Sequence, residues 1–527
     1  MSSLRRTKVI TGGTLIDGTG KLPIRNSAIA ILGSTILEVG RAEDVNVPRD
    51  AEVIDAKGKT VLPGLIDCHT HFIGLGVRTL TTLDLTATKS VTEAVNLVKV
   101  SLMEMPKGAW LTGRGWDESK WAERRYITKK DLDPVSVDNP VNLTRVCGHL
   151  TTLNSQALKL AKITKDTPDP PGGKIDKDPV TGEPTGVLKD ASRILSGLIP
   201  PTTMELTLKG LRKACEIALS LGCTGIHDAG TGGSGFSAYQ TCMEDGSLGV
   251  RSYVMPRGDM VLSVFENAGI RTGFGNDKLK IGPVKMIIDG SMGAHTAALF
   301  EPYADEPTTS GIFTTPPEKI KEAAVKAHKL GMQIAIHAIG DRAIEETINA
   351  LEAAIEEGPR PDHRHRIEHC EVLHSDQIAR IKRLGIIPSM QPNFVGEWSG
   401  PGGMYETRLG PDRLRLNNPY RRLLDDGIKI AFGSDCMPFN PIYGLWSAVN
   451  HPIEKSRISL VEAVKGFTLD AAYSSFEEKV KGSIEPGKFA DITILSKDLT
   501  AMPPEKIMDA KVDMTMVGGK ALYKGTA

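Results

Sequence analysis

Val61-Leu62-Pro63-Gly64-Leu65-Ile66-Asp67-Cys68-His69-Thr70-His71 is an apolar run that closes on two histidines one residue apart. In an extended strand, residues two apart share a face. The imidazoles of His69 and His71 therefore emerge side by side, where one cation takes both. The reading is a buried strand over residues 60–66 that delivers metal ligands at its C-terminal end.

Seven further short apolar runs follow, at residues 223–228, 251–255, 284–289, 333–337, 364–369, 386–390 and 429–435. Helical patterns lie between most of them, for example over 318–330 and 341–357. Eight such βα units predict an α/β fold, a (β/α)8 TIM barrel with its active site at the C-terminal ends of the strands. An open doubly wound sheet is the structural alternative.

Two regions do not fit a barrel. Residues 8–58 hold short alternating strands with Gly turns, and 491–495 and 514–519 repeat that style at the other end. Neither piece is large enough for a core of its own, so the two termini are expected to share one small β domain. About 155 residues separate the first two barrel strands. A helix at 91–105 follows the first strand, and one at 204–222 precedes the second. Residues 106–203 then read as an insertion at the functional end, with the Pro/Gly-rich stretch 166–186 as loop or lid. The expected organisation is 1–58 with 482–527 as the composite β domain, 59–481 as the barrel, and 106–203 as the insertion.

The 527 residues carry 64 basic and 64 acidic side chains. That balance leaves no electrostatic footprint for nucleic acid or an anionic membrane and fits a small-molecule substrate. No apolar core of signal-peptide length and no run of eighteen apolar residues is found, so a soluble, cytoplasmic protein is expected. The seven cysteines are dispersed and form no C-x-x-C pair, which argues against a disulfide framework or a Cys-type zinc site.

A cation at a barrel mouth needs ligands from several strand ends. His337 ends the fifth strand, His369 the sixth and Asp435 the eighth. With His69 and His71, this mix of imidazole and carboxylate suits zinc, manganese or iron. Lys285 lies inside an otherwise apolar strand, where a charged ammonium is costly. Burial favours its neutral amine, which can take up carbon dioxide as a carbamate and bridge two metals. Lys189 competes for that role, but its surroundings read as a helix start. Asp289 shares a face with Lys285 yet lies on the order of 13 Å further along an extended strand. Lys285 must then reach up from deep in the strand, or the strand must end before Asp289.

This set resembles the amidohydrolase superfamily of metal-dependent hydrolases. The resemblance rests on 63–71, on Phe432-Gly433-Ser434-Asp435, and on 482–491 where the chain returns to the β domain. Finer motifs are similar to the YtcJ-like (amidohydrolase 3) branch, which includes N-substituted formamide deformylase: 113–118, Gly148-His149 with Asn154-Ser155, 182–188, 289–293 and 337–342. The resemblance implies a β-sandwich from the two termini and a (β/α)8 barrel with one or two divalent metal ions, zinc foremost. Position by position, His69, His71, His337, His369 and Asp435 match metal-site residues, and Lys285 matches the lysine carboxylated in dinuclear members. Self-association is compatible with the family, but nothing in the composition demonstrates it.

Other residues carry weaker expectations. His149, Trp116 and Asp117 in the insertion, and His295 and Arg342 beyond barrel strands, are candidates for substrate contact, with lid packing and salt-bridging as the structural readings. Asp67 reads as structural and Cys68 and Cys370 as packing; His227-Asp228 ends the second strand, where lining the pocket is the weaker of its two readings. His328, His363, His365, His374 and His451 read as surface or helix residues. The expected activity is hydrolysis of an amide-type C–N bond by a metal-activated water with Asp435 as general base. A deaminase or cyclic amide or ester hydrolase on the same scaffold is the alternative, and a non-catalytic binding or assembly relative is the other class.

Overall fold

A computed structural model describes residues 7–525, apart from 119–120, 146–149, 171–172, 190 and 201, with backbone alone at 259–261. The chain divides into two units: Met1–Ile73 with Ala214–Ala527, and Gly74–Lys213.

The larger unit contains eight parallel strands, labelled here β1 (Leu65–Thr70), β2 (Cys223–Thr231), β3 (Arg251–Pro256), β4 (Val284–Ile287), β5 (Ile334–Ala338), β6 (Arg366–His369), β7 (Ile387–Met390) and β8 (Ala431–Phe432). The strands β1, β2 and β3 pair side by side, with Leu279–Ile281 beyond β3. Strands β4 to β8 pair in sequential order. A parallel bridge between Arg257 and Lys285 joins β3 to β4. Past β8, the Asp435 N–H donates to His69 O at 2.7 Å, so β8 also runs beside β1. Gly433 permits this approach, since a Cβ there would sit 2.5 Å from His69 N. Helices supply the outer layer. Pro317–Lys329 begins on proline, a residue suited to a first turn. Asp341–Glu357 buries Ile344, Thr347, Ile348 and Leu351 on one stripe, as an amphipathic helix must.

Residues 60–66 do not form one strand, which corrects the sequence reading. Thr60–Pro63 pairs with Ile492–Leu495 and Thr7–Leu15, whereas β1 starts at Leu65. Gly64 is the crossing point: its N–H donates to Asp491 O at 2.8 Å, and a Cβ there would lie 2.1 Å from Thr224 Oγ1. The strand β4 stops at Ile287, short of Asp289, which settles how Lys285 can sit near the strand's end. The eighth strand keeps only two ladder residues, because the chain turns sharply at Asp435 and Cys436, both at positive φ.

Both ends of the chain share one eight-stranded sheet. Its order is Lys520–Lys524, Val512–Val517, Ile492–Leu495, Thr60–Pro63, Thr7–Leu15, Ile24–Leu32 and Thr35–Arg41, with Glu52–Asp55 parallel to Thr7–Leu15. Ile10, Ile29, Ile31, Ile492, Ile494 and Met516 form its apolar cluster.

The smaller unit has a six-stranded sheet of its own, in the order Lys174–Lys177, Pro184–Lys189, Leu150–Leu153, Val141–Arg145, Leu111–Trp116 and Thr82–Asp84. Helix Val91–Met103 packs on it through Val91, Ala94 and Val98. The stretch 166–186 is therefore partly strand, because Lys174–Lys177 pairs with Pro184–Lys189. Lys189 ends that strand rather than starting a helix. Asn154 is buried; it receives the Val141 and Ala157 N–H groups and donates to Asn139 O and Ser136 Oγ.

His363, His365 and His451 are buried and outside helices, which corrects the reading; His328 does lie on helix Pro317–Lys329, but on its buried side. His328 gives its Nε2–H to Gly358 O, leaving Nδ1 to accept from His365 Nε2 at 2.8 Å. Such reciprocal pairing removes the cost of burying neutral imidazoles.

Gly64→Ala should cost about 1–3 kcal/mol through overpacking against Thr224, read as a lower urea midpoint. A second outcome concerns Glu477, 2.5 Å from Lys481 and 2.9 Å from Lys280. Burial raises its carboxyl, but the two ammonium groups outweigh that and hold it at about 2. The folded value lies below the ordinary 4.5, so this contribution is complete above pH 4.5 and is lost as pH falls toward 2. Glu477→Gln should lower stability at pH 7 by about 3–5 kcal/mol. Urea titrations across that acid range should show the gap to the unmodified protein closing.

Candidate metal centre

The eight strands place their functional side chains at one end. His69 is on β1 and His71 one residue past it; the ligand atoms of His69, His71 and Asp435 all lie within 4.8 Å of one another. Asp435 Oδ1 is 3.2 Å from His71 Nε2 and 3.9 Å from His69 Nε2. The 3.2 Å approach lacks the angle of a hydrogen bond, and Oδ1 is buried with no hydrogen-bond partner. Asp67 Oδ2, Glu371 Oε2 and Asp470 Oδ1 are buried without a hydrogen bond as well, but Asp435 Oδ1 faces two imidazole nitrogens, an arrangement that fits a cation between them.

His69 has one available tautomer. Its Nδ1 is 2.6 Å from Glu368 Oε2, so Nδ1–H donates and the Nε2 lone pair faces the cluster. Burial, together with Lys285, keeps this imidazole well below its ordinary value and thus neutral. Glu368 is itself completely buried and is held by Arg366 through Nε at 2.7 Å and Nη2 at 2.9 Å. The same guanidinium donates to Cys68 O and to His227 Nδ1. Arg366 and Glu368 went unnoticed in the sequence. Their signal was available: two charged residues alternating on one face of a strand that must be buried.

Lys285 projects into this end of the sheet, its Nζ 3.4 Å from His69 Nε2. Burial pulls its ammonium down to about 8. His369 and His337 extend the cluster by ring contact: His69 to His369 at 4.7 Å and His369 to His337 at 4.4 Å between centroids. His337 Nε2 donates to Gly290 O at 2.9 Å, which leaves its Nδ1 as the free lone pair. His369 Nδ1 is buried without a partner. Burial holds His337 at about 4 and His369 well below its ordinary value, so both are neutral donors. His71 is the exposed member; the neighbouring Asp435 raises it. Burial alone would raise Asp435, but His71, His69 and Lys285 bring it below the usual carboxylate range. His369 and Asp435 adopt φ of 71° and 50°, a left-handed conformation uncommon for non-glycine residues and frequent at functional turns.

The remaining candidates are described by their own contacts. Trp116 is fully buried, stacked on Trp121, and donates to Leu143 O, contacts that match the packing reading. Asp117 pairs with Arg145 at 3.1 Å. His149 lies outside the described residues. His295 shares Asp305 with Arg408. Arg342 covers the Phe313 ring at 4.9 Å. Asp67 receives the His69 and Ser434 N–H groups, and Asp228 receives the Phe72 N–H and the Thr231 and Tyr239 hydroxyls, so both brace the strand ends. Cys68 and Cys370 are buried thiols raised by burial, the former to about 12.

The amidohydrolase family profile matches residues 52–523. The chain belongs to the amidohydrolase family. The putative amidohydrolase YtcJ of Bacillus subtilis is 34% identical over 90% of this chain and 91% of its own length. N-substituted formamide deformylase of Arthrobacter pascens is 28% identical over 95% and 96% of the two chains. Among solved structures, an uncharacterized metal-dependent hydrolase from Pyrococcus furiosus superposes with a TM-score of 0.74 at 29% identity, covering 95% of this chain and 100% of that one. The fold is thus an α/β amidohydrolase fold like that of metal-dependent hydrolases.

Glu368→Gln is expected to weaken divalent-metal binding about 10- to 100-fold, because His69 loses the anion that fixes its tautomer. Competition with a chromogenic chelator measures this, and an unchanged affinity would remove Glu368 from the site.

Proposed function

We propose that this protein is a metal-dependent hydrolase of a small molecule's amide-type C–N bond, on a (β/α)8 barrel closed between β8 and β1. In this reading the barrel spans 59–481, residues 106–203 are its insertion, and 1–58 with 482–527 fold as a β-sandwich. The observation that carries the function is the convergence of the buried Asp435 Oδ1 and the His69 and His71 imidazoles, whose ligand atoms lie within 4.8 Å of one another.

His69, His71, His337, His369 and Asp435 would hold one or two divalent ions, zinc foremost. Lys285 would join them as a carbamate, formed when its neutral amine adds to carbon dioxide and releases a proton. A bound divalent ion supplies an acidified water and polarises a carbonyl. Asp435 accepts a proton as water oxygen adds to the carbonyl carbon. The same carboxyl then returns the proton to the leaving nitrogen as the C–N bond breaks, giving a carboxylic acid and an amine. Glu368 keeps His69 in the donating tautomer throughout. The name of the Arthrobacter relative supports an amide, and N-formyl amides are the first substrates to test.

Asp435→Asn should retain metal, by elemental analysis, and lose about 10²- to 10⁴-fold in turnover; near-unchanged turnover would reject Asp435 as the base. Growth on ¹³C-bicarbonate should give a carbamate carbon resonance that disappears in Lys285→Ala. Its absence from the metal-loaded protein would leave Lys285 unmodified.

A further inference from the structure

A cavity of 890 Å³ opens beside the candidate metal centre, with His71 and Lys285 on one wall. Its other walls come from one side of the ring of strands: Ala229 and Gly230 at the end of β2, Ile287 on β4, and the helices that follow β3 and β4. Among the described residues, none of β5 to β8 lines it.

Ile287 stands out in this wall. Along β4, Lys285 projects inward, its Nζ 3.4 Å from His69 Nε2, and strand alternation puts Ile287 on the same face. Its register partner on β5 is His337. Met286, on the opposite face, is buried in the core, whereas Ile287 is 46% exposed. An open apolar side chain in a concave wall, level with a candidate metal ligand, is placed for ligand contact rather than for packing. Leu262, Ile320 and Ala323, from the two helices, add apolar surface to the same cavity.

The proposed reaction gives this cavity a side of the scissile bond. Asp435 returns its proton to the leaving nitrogen, so that nitrogen lies beside β8. In a closed ring of eight strands, β4 and β8 stand four apart, on opposite sides of the axis. The carbonyl carbon is trigonal, so its acyl substituent points away from the nitrogen, toward β4 and Ile287. A formyl group, with only hydrogen in that place, would leave Ile287 uncovered.

We propose that Ile287 and the apolar surface around it bind the acyl chain of the substrate, so that the preferred amide carries an apolar acyl chain of several carbons and yields the corresponding carboxylic acid. This rests on the hydrolase reading above and narrows its substrate class. Arg257 and Lys319 line the same cavity, so an acyl chain that ends in a carboxylate is the competing occupant.

The test uses zinc- or manganese-loaded protein and two substrate series: para-nitroanilides with formyl, acetyl, butanoyl, hexanoyl and adipoyl groups, and N-alkyl formamides from methyl to hexyl. From acetyl to hexanoyl, kcat/KM should rise about three- to fourfold per methylene, and it should stay nearly flat along the alkyl series. Ile287→Asp should lower the hexanoyl-to-acetyl ratio by about tenfold or more, and Ile287→Leu should retain most of it. Metal content and urea midpoint check that each variant is intact. A hexanoyl-to-acetyl ratio near one, an alkyl series as steep as the acyl series, adipoyl preferred to hexanoyl, or a ratio unmoved by Ile287→Asp overturns the proposal while the hydrolase reading stands. If no amide is cleaved, the hydrolase reading is in question, and calorimetric binding of hexananilide and acetanilide decides. Tighter binding of hexananilide that Ile287→Asp abolishes supports the acyl site. Equal binding, no binding, or a preference untouched by the substitution rejects it.

Discussion

The hydrogen bond from His69 Nδ1 to Glu368 is the interaction on which the rest of this centre depends. It commits one imidazole to one tautomer and so aims a lone pair at Asp435 and Lys285. A carboxylate with no exposed surface is costly unless its charge is met, and Arg366 meets it with two donors. Arg366 in turn spans to the Cys68 carbonyl on β1, to His227 on β2 and to Ser389 on β7. One buried ion pair therefore ties four strands together directly beneath the ligand atoms. Removing either partner would strand the other's charge in the interior, so the network acts as a unit.

Strand ends do the remaining placement. The backbone turns into the left-handed region at His369 and again at Asp435. These turns end the β6 and β8 ladders and redirect the side chains that follow. The buried carboxylates around them hold loops rather than substrates. Asp289 receives the Ala298, Ile339 and Gly340 N–H groups, which fixes the segment after β4 against the segment after β5. Burial raises its carboxyl to about 7, and those three donors pull the other way. Rigid loops of this kind suit a site whose ligands come from distant parts of the chain.

Much of the parallel α/β core was legible because its signals are local. Runs such as 284–289 and 333–337 are apolar, short and bounded by turn residues, and the helices between them show a 3.6-residue stripe. The errors came where periodicity is silent. Nothing in Val61-Leu62-Pro63-Gly64-Leu65 shows that Pro63 and Leu65 belong to different sheets, since both halves are apolar and buried. The hairpin strands at 174–177 and 184–189 were hidden by their Pro and Gly content. The burial of His363 and His365 is not legible either, because a histidine on a polar segment carries no sign of the partner that will bury it.

The sequence by itself determined the inventory of candidate ligands. His69-Thr70-His71, His337, His369 and Asp435 each follow an apolar run, and strand alternation alone gives the first pair a common face. Only the tertiary structure decided which lone pair each imidazole offers, because a tautomer depends on the group across from the other nitrogen. Glu368 stands 299 residues from His69 in the chain, and Gly290 stands 47 from His337. Those distances close only when the strands lie side by side, and no local pattern encodes a contact between residues so far apart.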